Sequence, residues 1–242
     1  MDPSHSADRI TRIRPAFSPG SGPRSLHKER HDENKTALVI AFLNSGHACA
    51  AGTRLLVPKS RLDAVKRAIV DTIPAFPAGD PAGPKTAIGP MVNEKQYERV
   101  QSYIRKGIAE GAEVLVGGEG HPRGLDSGYF VKPTVFVNVR NDMTIAQEEI
   151  FGPVLCVITY DSEEDAVRIA NDTKYGLHAF VSGTDIQRAR RVASQILAGR
   201  VAINGMRDDP DAPWGGFKYS GVGREFGRYG IEAFLEPRAV LE

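Results

Sequence analysis

The amino-acid sequence predicts an α/β fold in which a mostly parallel sheet is flanked by helices. Short apolar runs rich in β-branched residues alternate with longer segments whose apolar residues recur every three or four positions. This alternation favours a parallel sheet, because parallel neighbours need a crossover connection that is usually a helix. A chain of 242 residues, 41% hydrophobic and 25% charged, is large enough to bury a substantial core.

The first elements lie between residues 35 and 72. The mostly apolar run 35–43 indicates a helix end or a buried segment, and 52–57 is typical of a strand. An amphipathic helix is predicted over 60–72, with Ser60 as its N-cap. Its apolar stripe consists of Leu62, Val65 and Ile69.

A second amphipathic helix is predicted over residues 93–110. Asn93 can cap its start, and Gly111 can end it. The Pro- and Gly-rich segment 75–90 before it predicts a long loop. The apolar stripe of this helix consists of Tyr97, Val100, Ile104 and Ile108.

The remaining segments repeat the alternation. Ser162 can cap a helix through residue 169, and Asp165 is placed to complete a capping-box-like pair. A further helix over 184–197 can close at Gly199. Strands are predicted at 113–116, 129–139, 154–160, 177–182 and 200–204.

Residues 1–33 differ from the rest, because they are rich in Pro, Gly, Ser and basic residues. Such a segment cannot bury enough apolar surface to offset its ordering entropy, so we expect a disordered tail. A mitochondrial transit peptide is the alternative, and Asp2 and Asp8 argue against it. The folded domain is therefore predicted over residues 34–242.

Charge and cysteine usage exclude several classes of function. A net charge of +1 gives no overall field that points to nucleic acid or a membrane surface, and no apolar run is long enough to span a bilayer. The two cysteines, Cys49 and Cys156, lie in no metal-ligand spacing, so we expect no metal site. Without a secretory signal, a reducing cytoplasm is the expected location. Cys156 lies in an apolar run and is expected to be buried and inert.

Cys49 lies in a segment of small residues and glycines, 44–54. Small neighbours leave a sulfur reachable, and a reachable thiolate is a strong carbon nucleophile. The pattern alone is equally compatible with a small core residue.

This segment resembles the cysteine signature of the NAD(P)-dependent aldehyde dehydrogenase superfamily. Three further blocks resemble the same family in the same order, and the resemblance extends from about residue 34 to the C-terminus. It covers only the catalytic, C-terminal half of that family. The three blocks are 147–154, 171–177 and 213–225.

The resemblance implies an aldehyde oxidoreductase with NAD or NADP as cofactor and a small-molecule aldehyde as substrate. Cys49 then matches the nucleophile, and its backbone N–H would be one oxyanion donor. Glu149 and Phe151 match the positions that hold the nicotinamide side of the cofactor. Trp214 matches a position that lines the substrate tunnel, and a core anchor is the equally weighted alternative.

His47 stands where the family usually has Gln. A histidine two residues from a cysteine can form an ion pair with it and lower the thiol pKa. The favoured interpretation is a neutral imidazole that faces the loop backbone.

The family places its cofactor-binding domain, an oxyanion Asn and a general-base Glu before the cysteine, and none is visible between residues 1 and 48. Three hypotheses follow: an aldehyde oxidoreductase helped by a partner chain, a cofactor-free thiol esterase, and a silent fragment. The family also commonly forms dimers or tetramers through an exchanged terminal strand. Residues 233–241 are the candidate for that strand.

Overall fold

The computed structural model describes residues 35–206 and 209–241, so the expected disorder of residues 1–33 lies outside the described chain. Its main sheet has four strands in the order β1-β4-β3-β2. Strand β4 pairs in parallel with β1 and β3, and β2 pairs with β3 in the antiparallel sense. The predicted α/β fold with a mostly parallel sheet is confirmed. The strands are β1 (Arg54–Pro58), β2 (Glu113–Val116), β3 (Thr134–Val137) and β4 (Val154–Tyr160).

Helices cover both faces of this sheet, because β4 is apolar on both sides. Successive side chains of β4 point to opposite faces and join two separate cores. Cys156 and Ile158 pack with α3 (Glu94–Ala109), α4 (Thr144–Gln147) and α5 (Glu163–Asn171). Leu155 and Val157 pack with α1 (residues 35–41) and α2 (Leu62–Thr72).

The helix stripes supply these cores as predicted. Ile69 of α2 is 1% exposed and Ile104 of α3 is 0% exposed, and burying such a side chain stabilises the fold by about 1.5–3 kcal/mol. Asn93 caps α3, because its side-chain oxygen accepts a hydrogen bond from the backbone N–H of Gln96 at 2.9 Å. Gly111 follows α3 with a φ of +94°.

The predicted cap of α2 is wrong. Residues Lys59–Arg61 form a 3-10 turn directly after Pro58, so α2 begins only at Leu62. Arg61 is therefore the N-cap residue, and it makes no side-chain capping bond. The predicted strand 129–139 is also too long, because Pro133 lacks an N–H and Asn138 has a φ of +55°.

A second, two-stranded parallel sheet follows α5. It consists of β5 (His178–Val181) and β6 (Arg200–Ile203), which are connected by α6 (Ile186–Ala193). The chain then forms a 3-10 turn at Lys218–Ser220 and the short helix α7 (Gly227–Glu232). Residues 233–241 form no strand within the described chain. Their exposed apolar side chains are Phe234, Leu235, Val240 and Leu241.

Candidate active site

The segment that connects α1 to β1 carries Cys49 on the surface. Cys49 is exposed and lies in a turn closed by a 3.0 Å hydrogen bond from the Ala51 N–H to the Ala48 carbonyl. Within residues 35–206 and 209–241, no backbone carbonyl accepts the N–H of Cys49. The predicted accessibility of the thiol is confirmed. A carbonyl compound can approach the sulfur and meet a backbone donor beside it.

An unusual backbone conformation presents this turn. Asn44, Ser45 and Gly46 follow one another with φ values of +49°, +59° and +76°, although side-chain-bearing residues rarely adopt positive φ. The Ser45 hydroxyl oxygen is buried and accepts the N–H of Gly89 at 2.9 Å. The surrounding structure therefore maintains a strained segment just before the cysteine.

Gly46 explains how closely this segment meets a second loop, residues 148–153. A Cβ at Gly46 would lie 2.1 Å from the carbonyl oxygen of Gly152, well inside contact distance. Only glycine permits this approach of two backbones. The loop with Cys49 and the loop with Glu149 and Phe151 are therefore in direct backbone contact.

The second loop is fixed by side chains of α3. The Gln96 amide donates to the carbonyl oxygen of Phe151 at 2.7 Å, and the Arg99 guanidinium donates to that of Glu149 at 2.6 Å. Phe151 has a φ of +61°, which is strained for an aromatic residue. The Glu149 side chain remains exposed. The exposed Glu149 carboxylate and the half-buried Phe151 ring thus belong to a loop whose main chain is fixed by hydrogen bonds from α3.

His47 packs against Phe151, with ring centroids 5.8 Å apart. Burial lowers the pKa of His47, and its Nε2 is buried and finds no hydrogen-bond partner among the described residues. Both observations favour the neutral imidazole over an ion pair with the thiolate. The imidazole meets the Phe151 ring and not only the loop backbone, which the sequence pattern did not predict.

Trp214 lies in a cluster of aromatic and cationic side chains. Its backbone pairs with Glu225 through two 2.8 Å hydrogen bonds, and its half-buried ring meets His178 edge-on at 5.7 Å. His178 in turn packs on Phe180 at 4.3 Å. A Cβ at Gly52 would lie 3.3 Å from the Phe180 ring, so this cluster reaches the segment that carries Cys49.

Contacts link the segments that carry the four predicted site residues. Glu149 and Phe151 meet the Cys49 segment through Gly46 and His47, and Trp214 meets it through His178 and Phe180. Sequence reasoning missed the residues that hold these groups in place. Alternation along β5 is the signal that places His178 and Phe180 on one face. The missed residues are Gln96, Arg99, His178, Phe180 and Arg200.

Arg54 anchors the end of the Cys49 segment. Its mostly buried guanidinium donates to Asn141 Oδ1 at 2.5 Å and to the carbonyl of Ile169 at 2.7 Å, and burial lowers its pKa. Asn141 extends this hydrogen-bond network, because its amide donates to the Asp172 carboxylate at 2.7 Å. The start of β1 is thereby tied to the C-terminus of α5.

Cys156, unlike the exposed Cys49, is buried in the core. It is 1% exposed, and burial raises the pKa of its thiol to about 12. A thiol with this pKa stays protonated at neutral pH, and the protonated form is a poor nucleophile. The predicted inertness of Cys156 agrees with this environment.

Other kinds of site find no support in the described residues. Over 35–206 and 209–241, no group of three or more His, Cys, Asp or Glu side chains could hold a metal ion. In that same part of the chain, no helix is long and apolar enough to cross a membrane.

The lowered pKa values of His47 and His178 predict that the folded protein loses stability in acid. Burial lowers the pKa of His47; burial and the nearby Arg200 charge lower that of His178. Below pH of about 6.5 these histidines bind protons in the unfolded chain but stay neutral in the folded chain. The free energy of unfolding therefore falls as the pH drops from about 6.5 towards the lower pKa of the folded state. Urea unfolding from pH 7 to about 5 should show this fall, and the His178→Phe variant should show a shallower one. Identical pH dependence in both proteins would contradict the assignment.

Comparison with known proteins identifies relatives of this chain. A sequence model of the aldehyde dehydrogenase family matches residues 31–240. A putative aldehyde dehydrogenase, SH0913, from Staphylococcus haemolyticus is 52% identical over 197 residues, which are 81% of this chain and 42% of that protein. The chain thus spans less than half the length of this curated relative.

Solved structures of aldehyde dehydrogenases also resemble this chain. Aldehyde dehydrogenase C from Pseudomonas syringae, a cysteine-to-alanine mutant complexed with NAD+ and octanal, is 47% identical with a TM-score of 0.83. The alignment covers 85% of this chain and 42% of that one. An aldehyde dehydrogenase from Mycobacterium tuberculosis complexed with NAD+ is 49% identical with a TM-score of 0.80, over 82% of this chain and 41% of that one.

Proposed function

Because this chain belongs to the aldehyde dehydrogenase family, we propose that it oxidises an aldehyde to a carboxylic acid with NAD(P)+ through covalent chemistry on Cys49. One observation carries the proposal. The exposed cysteine closely follows a strained segment that is in direct backbone contact with the loop that presents Glu149 and Phe151. Strained segments maintained by their surroundings are typical of functional sites.

The proposed chemistry begins at the sulfur. The Cys49 thiolate adds to the aldehyde carbon, and the backbone N–H of Cys49 donates to the oxygen that becomes negative. Loss of hydride from this thiohemiacetal leaves a thioester on Cys49. Water then hydrolyses the thioester to the acid and frees the thiol.

The residues present fit the nicotinamide end of a dinucleotide. The exposed Glu149 carboxylate can accept hydrogen bonds from ribose hydroxyls, and the half-buried Phe151 ring offers a flat apolar face beside the sulfur loop. When bound, the nicotinamide supplies the hydride acceptor that the chemistry requires. Two relatives were crystallised with NAD+, which supports NAD as the dinucleotide.

Complete turnover also needs a general base, a second oxyanion donor and contacts to the adenosine half. In the family these belong to the part of the enzyme before the cysteine. We therefore propose that the chain works together with a partner chain whose cofactor-binding domain supplies them. Loss of the base or of the donor would each lower the rate by roughly 10²-fold or more.

Two assays on the 242-residue protein test the proposal. The first follows NADH or NADPH formation with octanal, the aldehyde bound by the relative from Pseudomonas syringae. The second follows release of 4-nitrophenol from an activated ester without cofactor, because acyl transfer to sulfur needs no hydride acceptor. Reduced cofactor that appears only with intact Cys49 supports aldehyde oxidation. Ester cleavage alone supports the thiol esterase hypothesis, and silence in both assays supports the hypothesis that this chain by itself is a catalytically silent fragment.

A further inference from the structure

Arg200, the first residue of β6, reaches from the second sheet to the segment before Trp214. One nitrogen of its guanidinium, Nη2, donates to the carbonyl oxygens of Asp209 at 3.2 Å and Ala212 at 3.0 Å. These carbonyls belong to one turn, because the Ala212 N–H donates to the Asp209 carbonyl at 3.1 Å. One guanidinium nitrogen thus links both carbonyls of the turn, and the planar group can at the same time lie over an aromatic face.

The same guanidinium covers the Trp214 ring. Its central carbon lies 5.0 Å from the ring centroid, within the range of a cation–π interaction. His178 meets that ring edge-on, with an interplanar angle of 89°. The Trp214 backbone is paired with Glu225, and Arg200 and His178 both contact its indole ring.

The position of Arg200 in the sheet is itself fixed. Its backbone N–H donates to the Leu177 carbonyl at 3.1 Å, and its Cα pairs with that of His178 in the β5–β6 register. Arg200 and His178 therefore stand side by side on neighbouring strands, one against the ring and one at its edge. Through Phe180 and Gly52 this pair is connected to the segment that carries Cys49.

We infer that Arg200 is a positioning residue that holds residues 209–214 and the Trp214 indole in place, and thereby sets which aldehyde tails fit beside Cys49. The inference rests on the proposed function, since it takes the indole as a wall for the substrate. The Trp214 indole offers an apolar aromatic face, which suits an alkyl or aryl tail. Displacement of the indole then affects long tails and leaves short ones unchanged.

Trp214 is the only tryptophan of the chain, so its fluorescence reports this position without any substrate. The test variant is Arg200→Met, which keeps an unbranched apolar stem and removes the donors and the charge. Arg200→Lys, which keeps the charge without the planar fork, is the conservative variant. The matched control is Arg228→Met, because Arg228 covers the Tyr229 ring at 5.2 Å in the same C-terminal part of the chain.

Arg200→Met should shift the Trp214 emission to longer wavelength and make the indole easier to quench with acrylamide, and Arg200→Lys should restore part of both. The control should behave as the wild type. With 4-nitrophenyl octanoate the KM should rise about 10-fold, a change equivalent to the loss of a few methylene contacts. With 4-nitrophenyl acetate kcat and KM should stay unchanged, because the sulfur itself has not moved.

The outcomes separate this inference from the proposed function. Unchanged emission and quenching in folded Arg200→Met protein overturn the positioning role, and so does an equal KM increase for both esters. If neither the wild type nor Arg200→Met reacts with either ester, a fluorescence change in the variant still supports the positioning role, whereas the absence of reaction in the wild type counts against the covalent function of Cys49. If Arg200→Met does not fold, Arg200→Lys carries the same comparison, and wild-type emission from that variant overturns the role of the planar fork.

Discussion

Replacing Cys49 with serine is expected to abolish aldehyde oxidation and to lower ester cleavage by at least about 10³-fold, as in other enzymes that lose their nucleophile. A serine hydroxyl is a much weaker nucleophile than a thiol and depends on a neighbouring base for activation. The fold should be unaffected, because the side chain is exposed and the two residues differ by one atom. The measurement compares initial rates of wild type and Cys49→Ser under identical cofactor and substrate concentrations.

Cys156→Ser is the matched control, since Cys156 is the other cysteine of the chain and lies sealed in the core. It should retain activity and lose only stability. Iodoacetamide followed by mass spectrometry should label Cys49 in the folded protein and leave Cys156 unlabelled, in line with its raised pKa of about 12. Retained activity in Cys49→Ser, or preferential labelling of Cys156, would remove the basis of the covalent mechanism.

Gly46→Ala is expected to lower the free energy of unfolding by roughly 3 kcal/mol or more, an effect at the upper end for single substitutions. Two costs combine here. Alanine must adopt a φ of +76°, and its Cβ would lie 2.1 Å from the Gly152 carbonyl oxygen. Neither partner of this contact is the end of a flexible side chain, so the backbone itself must move. Urea unfolding at neutral pH measures the loss.

Gly124→Ala separates the two costs. Gly124 has nearly the same φ, +78°, but a Cβ there would meet nothing within 4 Å. This control should lose only about 1 kcal/mol, the cost of the conformation alone. Equal losses in the two variants would show that the contact between Gly46 and Gly152 does not limit the structure. Gly46→Ala should also change the rate of Cys49 alkylation, and Gly124→Ala should not.

The sequence predicted the elements best where local chemistry marks their ends. Helix α3 was bounded correctly because Asn93 and Gly111 act locally as caps, and β2 and β4 were placed to the residue. The errors occurred where a neighbour changed the local preference. Pro58 leads into a 3-10 turn that displaces the predicted cap at Ser60, and Asn138 ends β3 in a left-handed conformation.

For the site, the sequence names candidate residues, but it does not predict the contacts that hold them in place. The four blocks of resemblance predicted Cys49, Glu149, Phe151 and Trp214. The contact of His47 with Phe151, and of Arg200 with Trp214, joins residues that are distant along the chain. No periodicity or motif encodes such pairs, because they depend on how β5, β6 and the loops assemble.

The contact between Gly46 and Gly152 has a thermodynamic consequence for the paired loops. Because the two backbones are in close contact, the proposed function implies that a nucleotide beside Phe151 and a carbonyl compound at Cys49 would act on one shared equilibrium. Linkage then requires reciprocity: the factor by which the nucleotide changes the affinity for the carbonyl compound equals the factor by which the carbonyl compound changes nucleotide affinity. Under the proposed function, a single pair of glycines would thereby couple the binding of two ligands.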